Sequence, residues 1–198
     1  IVAHIIENCD KRADFIWHGG EPLIAGLKFF KDIPALQQKY NIKNLMIKNN
    51  IQTNATMLNK EYMEFFQREK FDIGTSIQGT QEMHDESRFT TKGRPTYYQV
   101  ISNISQLDKE VSSIIVLTTK VLGKEKEVYF STKPYVKGMR ISEYFPGGLN
   151  PKIAFKDSIS SSKRPEPLMP TPEEYGQSMI RFYEIWKNDP NPIDVRPI

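Results

Sequence analysis

The chain has 198 residues, of which 38% are hydrophobic and 26% charged, which is typical of a globular protein and excludes a disordered or fibrous one. Lys and Arg outnumber Asp and Glu by 27 to 24, and the two signs are interspersed. This modest basic balance predicts a solvated surface and no nucleic-acid partner. No apolar run approaches the roughly 18 residues that a membrane-spanning helix needs, so no membrane partner is expected.

The cysteine content and the two ends of the sequence bear on location and extent. Cys9 is the only cysteine, which excludes an internal disulfide framework and favours a reducing compartment, the cytoplasm. The sequence opens with Ile1 and carries no signal-peptide pattern, so we expect a segment upstream of it. It closes on the extended-looking stretch IDVRPI, which indicates that more structure follows.

Short apolar runs alternate with stretches at helical spacing along the whole chain, and this alternation predicts repeated βα units around a parallel sheet. The fold class is therefore α/β, and the length favours a single domain over residues 1–198. The predicted strands are Asp14–Trp17, Asn44–Ile51, Phe71–Ile77, Val111–Leu117, Gly138–Phe145 and Ile193–Arg196.

Three helices carry recognisable start signals. Asn59 can cap a helix with apolar residues on one face, and Pro95 suits the first turn of another. Thr171 and Glu174 have the spacing of a capping box. These signals predict where the helices begin.

Two segments interrupt the helical pattern. Pro34 lies within a stretch at helical spacing and predicts a break or a kink, with a new helix starting near it. The Ser- and Pro-rich segment from Asp157 to Pro172 predicts a loop or a linker.

Polar and glycine residues follow the predicted strands, at the edge where parallel α/β sheets bind ligands. The clearest groups are His18-Gly19-Gly20-Glu21, Gln52-Thr53-Asn54 and Ser76-Ile77-Gln78. Backbone carbonyls of the two glycines, together with the Glu21 carboxylate, could accept hydrogen bonds from an ammonium group. Arg88 could bind a carboxylate with its planar guanidinium. One ligand with both groups, such as an amino acid moiety, would use both.

Four short stretches occur in an order and spacing that identify a family. They are WHGGEP, IQTNATML, GTSIQG and HDESR. Together they resemble the radical S-adenosylmethionine (SAM) family, in its SPASM branch of peptide- and protein-modifying enzymes, and are similar to the anaerobic sulfatase-maturating enzymes. The similarity is specific from Asp14 to Leu107 and looser to Ile198. It implies a partial TIM-like (β/α)6 radical SAM barrel.

The resemblance assigns roles to individual residues. The GGE motif, here Gly19, Gly20 and Glu21, binds the amino group of SAM. Ser76 and Arg88 match positions that hold its other polar groups, including the carboxylate. The remaining assignments are Asn54 beside the same pocket, Leu149 at the adenosine, and His18 and Gln52 near the peptide substrate.

The chain departs from the family pattern in its cysteines and in one acid. The CxxxCxxC motif, whose thiolates hold a [4Fe-4S] cluster, is absent, and Cys9, which we interpret as a small apolar helix residue, cannot replace it. Gln78 stands where the family has an acid, which leaves any role of that position open. No later cysteine occurs, so a SPASM extension and its clusters lie outside this chain or do not exist.

The resemblance implies an enzyme that cleaves SAM reductively to a 5'-deoxyadenosyl radical and modifies a peptide or protein. Maturation of ribosomally made peptides and formylglycine formation in sulfatases both fit, with a flavodoxin or ferredoxin as reductant. This chain alone is expected to be inactive without the cluster cysteines. Two alternatives stay open: a non-catalytic SAM- or peptide-binding barrel without a cluster, and an unrelated hydrolase using carboxylates such as Glu21 and Glu143.

The histidines and the acid near Arg88 have simpler interpretations. His4, His18 and His84 lack metal-ligand spacing. Asp85 is expected to order the loop before Arg88 rather than to abstract a proton.

Overall fold

The computed structural model describes residues 1–107, 111–144 and 168–197. They form two compact units. The first unit comprises Ile1–Ser76 and Gln99–Val111, and the second comprises Ile77–Tyr98 and Ser112–Ile198. No helix in the described ranges is both long and apolar enough to cross a membrane.

The first unit alternates helices with parallel strands. Its elements are helix α1 (Val2–Glu7), strand β1 (Arg12–Trp17), helix α2 (Leu27–Tyr40), strand β2 (Met46–Gln52), helix α3 (Lys60–Arg68) and strand β3 (Phe71–Thr75). Helix α5 (Tyr97–Ile104) belongs to this unit from Gln99 onward. Strands β1, β2 and β3 pair in chain order and in parallel, with Gln52 opposite Gly74. The carboxyl ends of the three strands therefore lie side by side.

Aromatic side chains fill the space between the sheet and the helices of the first unit. The alternate residues Ala13 and Phe15 of β1 are buried, whereas Arg12, Asp14 and Ile16 are exposed. Phe66 of α3 is fully buried, and its ring contacts those of Phe30, Tyr62, Phe65 and Phe71. Burial of each such side chain stabilises the fold by about 1.5–3 kcal/mol.

The second unit repeats the pattern. It contains helix α4 (Gln81–Ser87), strand β4 (Val111–Leu117, from Ser112 onward), helix α6 (Glu125–Thr132), strand β5 (Gly138–Glu143), helix α7 (Pro172–Lys187) and strand β6 (Asp194–Arg196). Strands β4, β5 and β6 also pair in chain order and in parallel. Its core is apolar and consists of Ile115, Leu117, Val121, Val128, Tyr129, Met139, Ile141, Phe182 and Val195.

The predicted elements agree with this architecture. The α/β class with six parallel strands is confirmed, and each predicted strand end lies within two residues of the observed one. The Asn59 side chain caps α3 by accepting the N–H of Tyr62, and Thr171 and Glu174 form the predicted capping box. Closure of the strands into a (β/α)6 barrel stays a prediction, and the single domain over residues 1–198 is likewise untested.

Three local predictions were wrong. Pro34 does not end a helix: it lies inside the continuous α2, where burial of Phe30 and Ile33 outweighs the roughly 3 kcal/mol cost of an interior proline. Pro95 precedes α5 by two residues and forms an isolated antiparallel bridge with Phe89. The segment before Arg88 is not a loop but α4, which begins where the Thr80 hydroxyl accepts the N–H of Met83.

Two further predictions concern Cys9 and the Ser- and Pro-rich segment. Cys9 lies beyond the end of α1 rather than in a helix, and it is half-buried against the cluster of Ile6, Ala13, Phe15 and Leu45. It therefore acts as a small apolar residue, as expected from its type. The segment from Asp157 lies outside the described residues as far as position 167, and α7 begins at Pro172.

Candidate functional site

A turn of two glycines follows β1. Gly19 has φ +110° and Gly20 has φ +54°, and both values fall in the region that glycine tolerates and other residues rarely adopt. A Cβ built on either residue would meet nothing within 4 Å, so the turn faces open space. From the described residues, the carbonyls of Gly19 and Gly20 accept no hydrogen bond. These two oxygens can therefore accept hydrogen bonds from a ligand such as an ammonium group.

The carboxylate of Glu21 joins this turn to the end of β2. Its Oε1 accepts the N–H of Leu23 at 3.0 Å and the hydroxyl of Thr53 at 2.6 Å. Its Oε2 accepts the N–H of Asn54 at 2.7 Å. Each carboxylate oxygen can accept about two hydrogen bonds, so one lone pair of Oε2 remains for a ligand.

The loop after β2 is held in place from several directions. The Asn54 side-chain oxygen accepts the N–H of Thr56 at 2.9 Å and its hydroxyl at 2.7 Å. From α5, Asn103 donates to the Ala55 carbonyl and Gln99 to the Thr56 carbonyl, both at 2.8 Å. The side-chain nitrogen of Asn54, Nδ2, has no acceptor among the residues that the structure describes, so it can donate to a ligand.

Gln52 and Ser76 meet at the ends of β2 and β3. The Gln52 amide nitrogen donates to the Thr75 carbonyl at 2.8 Å and to the Ser76 hydroxyl at 3.2 Å. His18, which follows β1, is exposed. The first unit thus brings Glu21 to Asn54 and Gln52 to Ser76, four residues that the sequence proposed separately.

In the second unit, Arg88 directly follows α4. Its N–H donates to the His84 carbonyl at 2.8 Å, and its own carbonyl accepts the Thr96 hydroxyl at 2.8 Å. Its guanidinium Nε is buried and has no hydrogen-bond partner in the described ranges. Burial lowers the pKa of the Arg88 guanidinium. An unpaired buried donor costs about 1–3 kcal/mol, and an anion would remove that cost.

His84 holds the main chain around Arg88. Its Nδ1 accepts the N–H of Gln78 at 3.3 Å, which requires Nε2 to carry the proton. Nε2 therefore donates to the Thr96 hydroxyl at 3.2 Å, and that hydroxyl donates to the Arg88 carbonyl. Burial first, and then the charge of Arg88, lowers the pKa of His84 to about 4. The imidazole is neutral near pH 7 and acts as a fixed link.

Gln78 and Asp85 order the same region. The Gln78 amide donates to the Val116 carbonyl and accepts the Val116 N–H at 3.3 Å, so it occupies both backbone groups of that β4 residue. A carboxylate has no donor for the carbonyl, so an amide suits this position. Asp85 accepts the N–H groups of Thr96 and Tyr97, each at 2.9 Å. It lies in α4 rather than in the predicted loop before Arg88, and it orders the start of α5 instead.

Comparisons with known proteins find similarity to anaerobic sulfatase-maturating enzymes. Over 96% of its length it is 24% identical to a cysteine-type anaerobic sulfatase-maturating enzyme of Clostridium novyi and 27% identical to one of Clostridium perfringens. Over 48% of its length it is 44% identical to a serine-type anaerobic sulfatase-maturating enzyme of Bacteroides thetaiotaomicron. The chain is a homologue of the anaerobic sulfatase-maturating enzymes. The resemblance seen in the sequence is confirmed.

A solved structure supports the same relationship. The structure named native anSMEcpe with bound AdoMet and Kp18Cys peptide matches 98% of the chain with a TM-score of 0.85 and 25% identity. No protein-family model matches the chain. The chain spans about half the length of the Clostridium maturases, 49%, and 53% of the solved chain.

The residues present fit one of the maturases' expected cofactors and not the other. The open Gly19–Gly20 turn and the unpaired buried Nε of Arg88 suit the amine and the carboxylate of SAM, each within its own unit. A [4Fe-4S] cluster does not fit, because the sequence has only one cysteine. No group of three His, Cys, Asp or Glu within the described part of the chain could hold a metal ion.

Several residues at these sites were not foreseen. Thr96 binds through its hydroxyl, and no sequence pattern separates it from other threonines. Asn103 and Gln99 lie on the polar face of α5, where an exposed position is the usual expectation. Leu149, predicted to contact adenosine, lies outside the described residues.

Proposed function

We propose that the protein is a radical SAM maturase that modifies a peptide or protein substrate. The observation that carries the proposal is the Gly19–Gly20 turn, whose carbonyls are unpaired among the described residues and face open space beside Glu21. The homology to anaerobic sulfatase-maturating enzymes supports the same activity. The chain spans about half the length of those enzymes, and the activity proposed is that of the whole protein.

In the first unit, the proposed task is to hold the amino group of SAM. The carbonyls of Gly19 and Gly20 and the remaining lone pair of Glu21 accept its three N–H bonds. The hydroxyl of Ser76 and the amide nitrogen of Asn54 supply donors for its acceptor groups. The turn thus neutralises an ammonium with a carboxylate and fixes its direction with backbone dipoles.

In the second unit, Arg88 is the proposed partner of the SAM carboxylate. The guanidinium, whose Nε is buried and unpaired among the described residues, presents a planar fork that suits two carboxylate oxygens. His84 and Thr96 hold its backbone, so the fork starts from a fixed position. Leu149 is proposed to contact the adenosine.

The cofactors divide the chemistry with the protein. When bound and reductively cleaved, SAM supplies the radical that abstracts a hydrogen atom from the substrate. A flavodoxin or ferredoxin is the proposed reductant, and a [4Fe-4S] cluster would have to be held by residues outside this sequence. This chain binds, orients and shields the cofactor, and by itself it is expected to be inactive.

The substrate is proposed to be a peptide segment with a cysteine or serine that is oxidised to formylglycine. The relatives include both cysteine-type and serine-type maturases, and the solved structure of one contains a bound peptide. His18 is exposed directly after β1 and is the proposed contact to that peptide. Precursor peptides with crosslinks are the other substrate class of this branch.

Titration calorimetry of this chain with SAM tests the proposed site. Gly20→Leu puts a side chain into the open space and should weaken binding at least tenfold. Gly26→Leu is the matched control, because Gly26 also has a positive φ, +82°, with nothing within 4 Å of a built Cβ. Equal affinities of the two variants would refute the assignment of the Gly19–Gly20 turn.

A second experiment separates the enzyme from a cluster-free binding module. The full-length gene product is reconstituted anaerobically with iron and sulfide, and release of 5'-deoxyadenosine is measured with and without a reductant. Reductant-dependent release establishes the radical enzyme. Binding of SAM without cluster assembly or release establishes the binding module. A hydrolase that uses Glu21 gains no support, because its carboxylate already accepts three hydrogen bonds.

A further inference from the structure

Gln52 lies at the end of β2 and points its side chain across the neighbouring strand. Its amide nitrogen donates to the Thr75 carbonyl at 2.8 Å and to the Ser76 hydroxyl at 3.2 Å. On the neighbouring strand β3, the residue opposite Gln52 is Gly74. The side chain of Gln52 therefore passes over Gly74 to reach the end of β3.

Gly74 is what leaves room for this crossing. A Cβ on residue 74 would collide with Oε1 of Gln52 and would lie 3.2 Å from its Cδ. The φ of Gly74 is not positive, so the backbone itself does not require glycine here. The requirement is for space, and its effect is to fix where the Gln52 amide lies.

The hydrogen bond from Gln52 decides what the Ser76 hydroxyl can do. A hydroxyl has one proton and two lone pairs, and the amide of Gln52 occupies a lone pair. Among the residues that the structure describes, no acceptor takes the Ser76 proton. The proton is therefore available to an acceptor outside the protein, and a carboxylate is the strongest such acceptor.

We infer that Gln52 is a positioning residue: its hydrogen bond to the Ser76 hydroxyl orients that hydroxyl so that it donates to the carboxylate of SAM. The absence of a side chain at Gly74 leaves the space that Gln52 needs. The inference rests on the proposed function and deepens it. It assigns Gln52 a role through Ser76 rather than direct contact with the peptide. The carboxylate-binding role of Ser76 thereby depends on two residues that do not touch the ligand.

Reversal of the hydrogen bond is the sharpest test. In Gln52→Glu the carboxylate can only accept, so it takes the Ser76 proton and leaves a lone pair facing the ligand. Affinity for SAM, measured by calorimetry, should fall about tenfold in Gln52→Glu and about threefold in Gln52→Ala. Asn50→Ala is the matched control on the same strand and the same face, and it should leave affinity unchanged.

Two combinations separate positioning from a general structural effect. In a Ser76→Ala background, Gln52→Ala should cause no further loss, whereas additive losses would overturn the inference. Gly74→Ala should weaken binding about as much as Gln52→Ala, and should add nothing once Gln52 is already alanine. An undiminished effect of Gly74→Ala in that background would also overturn it.

The ligand provides the last arm of the experiment. Decarboxylated SAM lacks the group that Ser76 serves, so Gln52→Ala should leave its affinity unchanged. Equal losses for SAM and its decarboxylated analogue would overturn the inference while leaving the proposed function intact. Absence of SAM binding by the unmodified full chain would instead refute the proposed function, and the inference with it.

Discussion

The two units each contain a glutamate whose carboxylate accepts three hydrogen bonds, yet the two carboxylates differ in charge balance. In the second unit, Glu125 accepts the N–H of Gly123 at 3.1 Å, the hydroxyl of Ser178 at 2.6 Å and the guanidinium of Arg181 at 2.8 Å. In the first unit, Glu21 accepts only from neutral donors and forms no ion pair with any described residue. Glu125 is neutralised by the protein, whereas Glu21 is left with its charge.

The presence or absence of a cationic partner separates a structural carboxylate from one that is free to bind a ligand. Burial tends to raise the pKa of Glu125, but the hydrogen bonds from Arg181 and Ser178, with the N–H groups, outweigh it and lower the pKa. The result is an internal ion pair between α6 and α7. A carboxylate held in place by neutral donors beside an open turn is instead ready for a cationic ligand. The number of hydrogen bonds alone would not distinguish the carboxylate of Glu21 from that of Glu125.

The largest effect expected from this comparison is on stability. Glu125→Ala leaves the fully buried Ser178 hydroxyl without its acceptor and removes the partner of Arg181. Because Arg181 is half exposed, we expect a loss of about 2–3 kcal/mol rather than the upper range for buried pairs. Urea unfolding measures it. Glu127→Ala, an exposed position on the same helix, should change the free energy of unfolding by less than about 0.5 kcal/mol.

His84 provides a second effect on stability, comparable in size to that of Glu125, as a dependence of the free energy of unfolding on pH. Its folded pKa of about 4 lies below the ordinary value of 6.5, because burial and the Arg88 charge disfavour the imidazolium. The unfolded chain therefore binds the proton first as the pH falls. Stability should decrease between pH 6.5 and 4, by at most about 1.4 kcal/mol per pH unit. In His84→Asn this part of the dependence should disappear, and an unchanged curve would show that another group causes it.

Much of the fold was predictable because its signals are local. Alternation of strand and helix patterns located all six strands, and Asn59, Thr171 and Glu174 marked two helix starts through side-chain caps. Helix α4 escaped because it buries a polar residue, His84, and so lacks an apolar stripe. Pro34 misled because burial in the folded core, which no local pattern reports, outweighed the proline.

The candidate site was predictable in its members and not in their connections. The order of the four stretches drew attention to Glu21, Asn54 and Ser76, since family motifs are contiguous in sequence. Which partners saturate each side chain depends on contacts between residues far apart in the chain, such as Gln52 with Ser76. The charge balance that separates Glu21 from Glu125 therefore requires the folded geometry.

Glu21→Gln removes the charge of Glu21 but keeps its shape, so it tests whether that charge contributes to ligand binding. Glu21→Gln should reduce SAM affinity about tenfold, because the ammonium loses its anionic partner. The free energy of unfolding should fall by only about 1 kcal/mol, the worth of one mismatched hydrogen bond. Calorimetry and urea unfolding measure the two. An unchanged affinity in Glu21→Gln would show that Glu21, like Glu125, has a structural role only.

The smallest effect concerns the support of the loop after β2 by α5. Asn103→Ala removes the hydrogen bond to the Ala55 carbonyl, which lies next to Asn54. We expect a loss of stability of about 1 kcal/mol and a two- to threefold loss of SAM affinity, because the Glu21 bond to the Asn54 N–H becomes less well ordered. Asn103→Asp keeps the size but cannot donate, so it should match the alanine variant. If only Asn103→Asp weakens SAM binding, its added charge is responsible. The order of the loop after β2 would then make no contribution to SAM affinity.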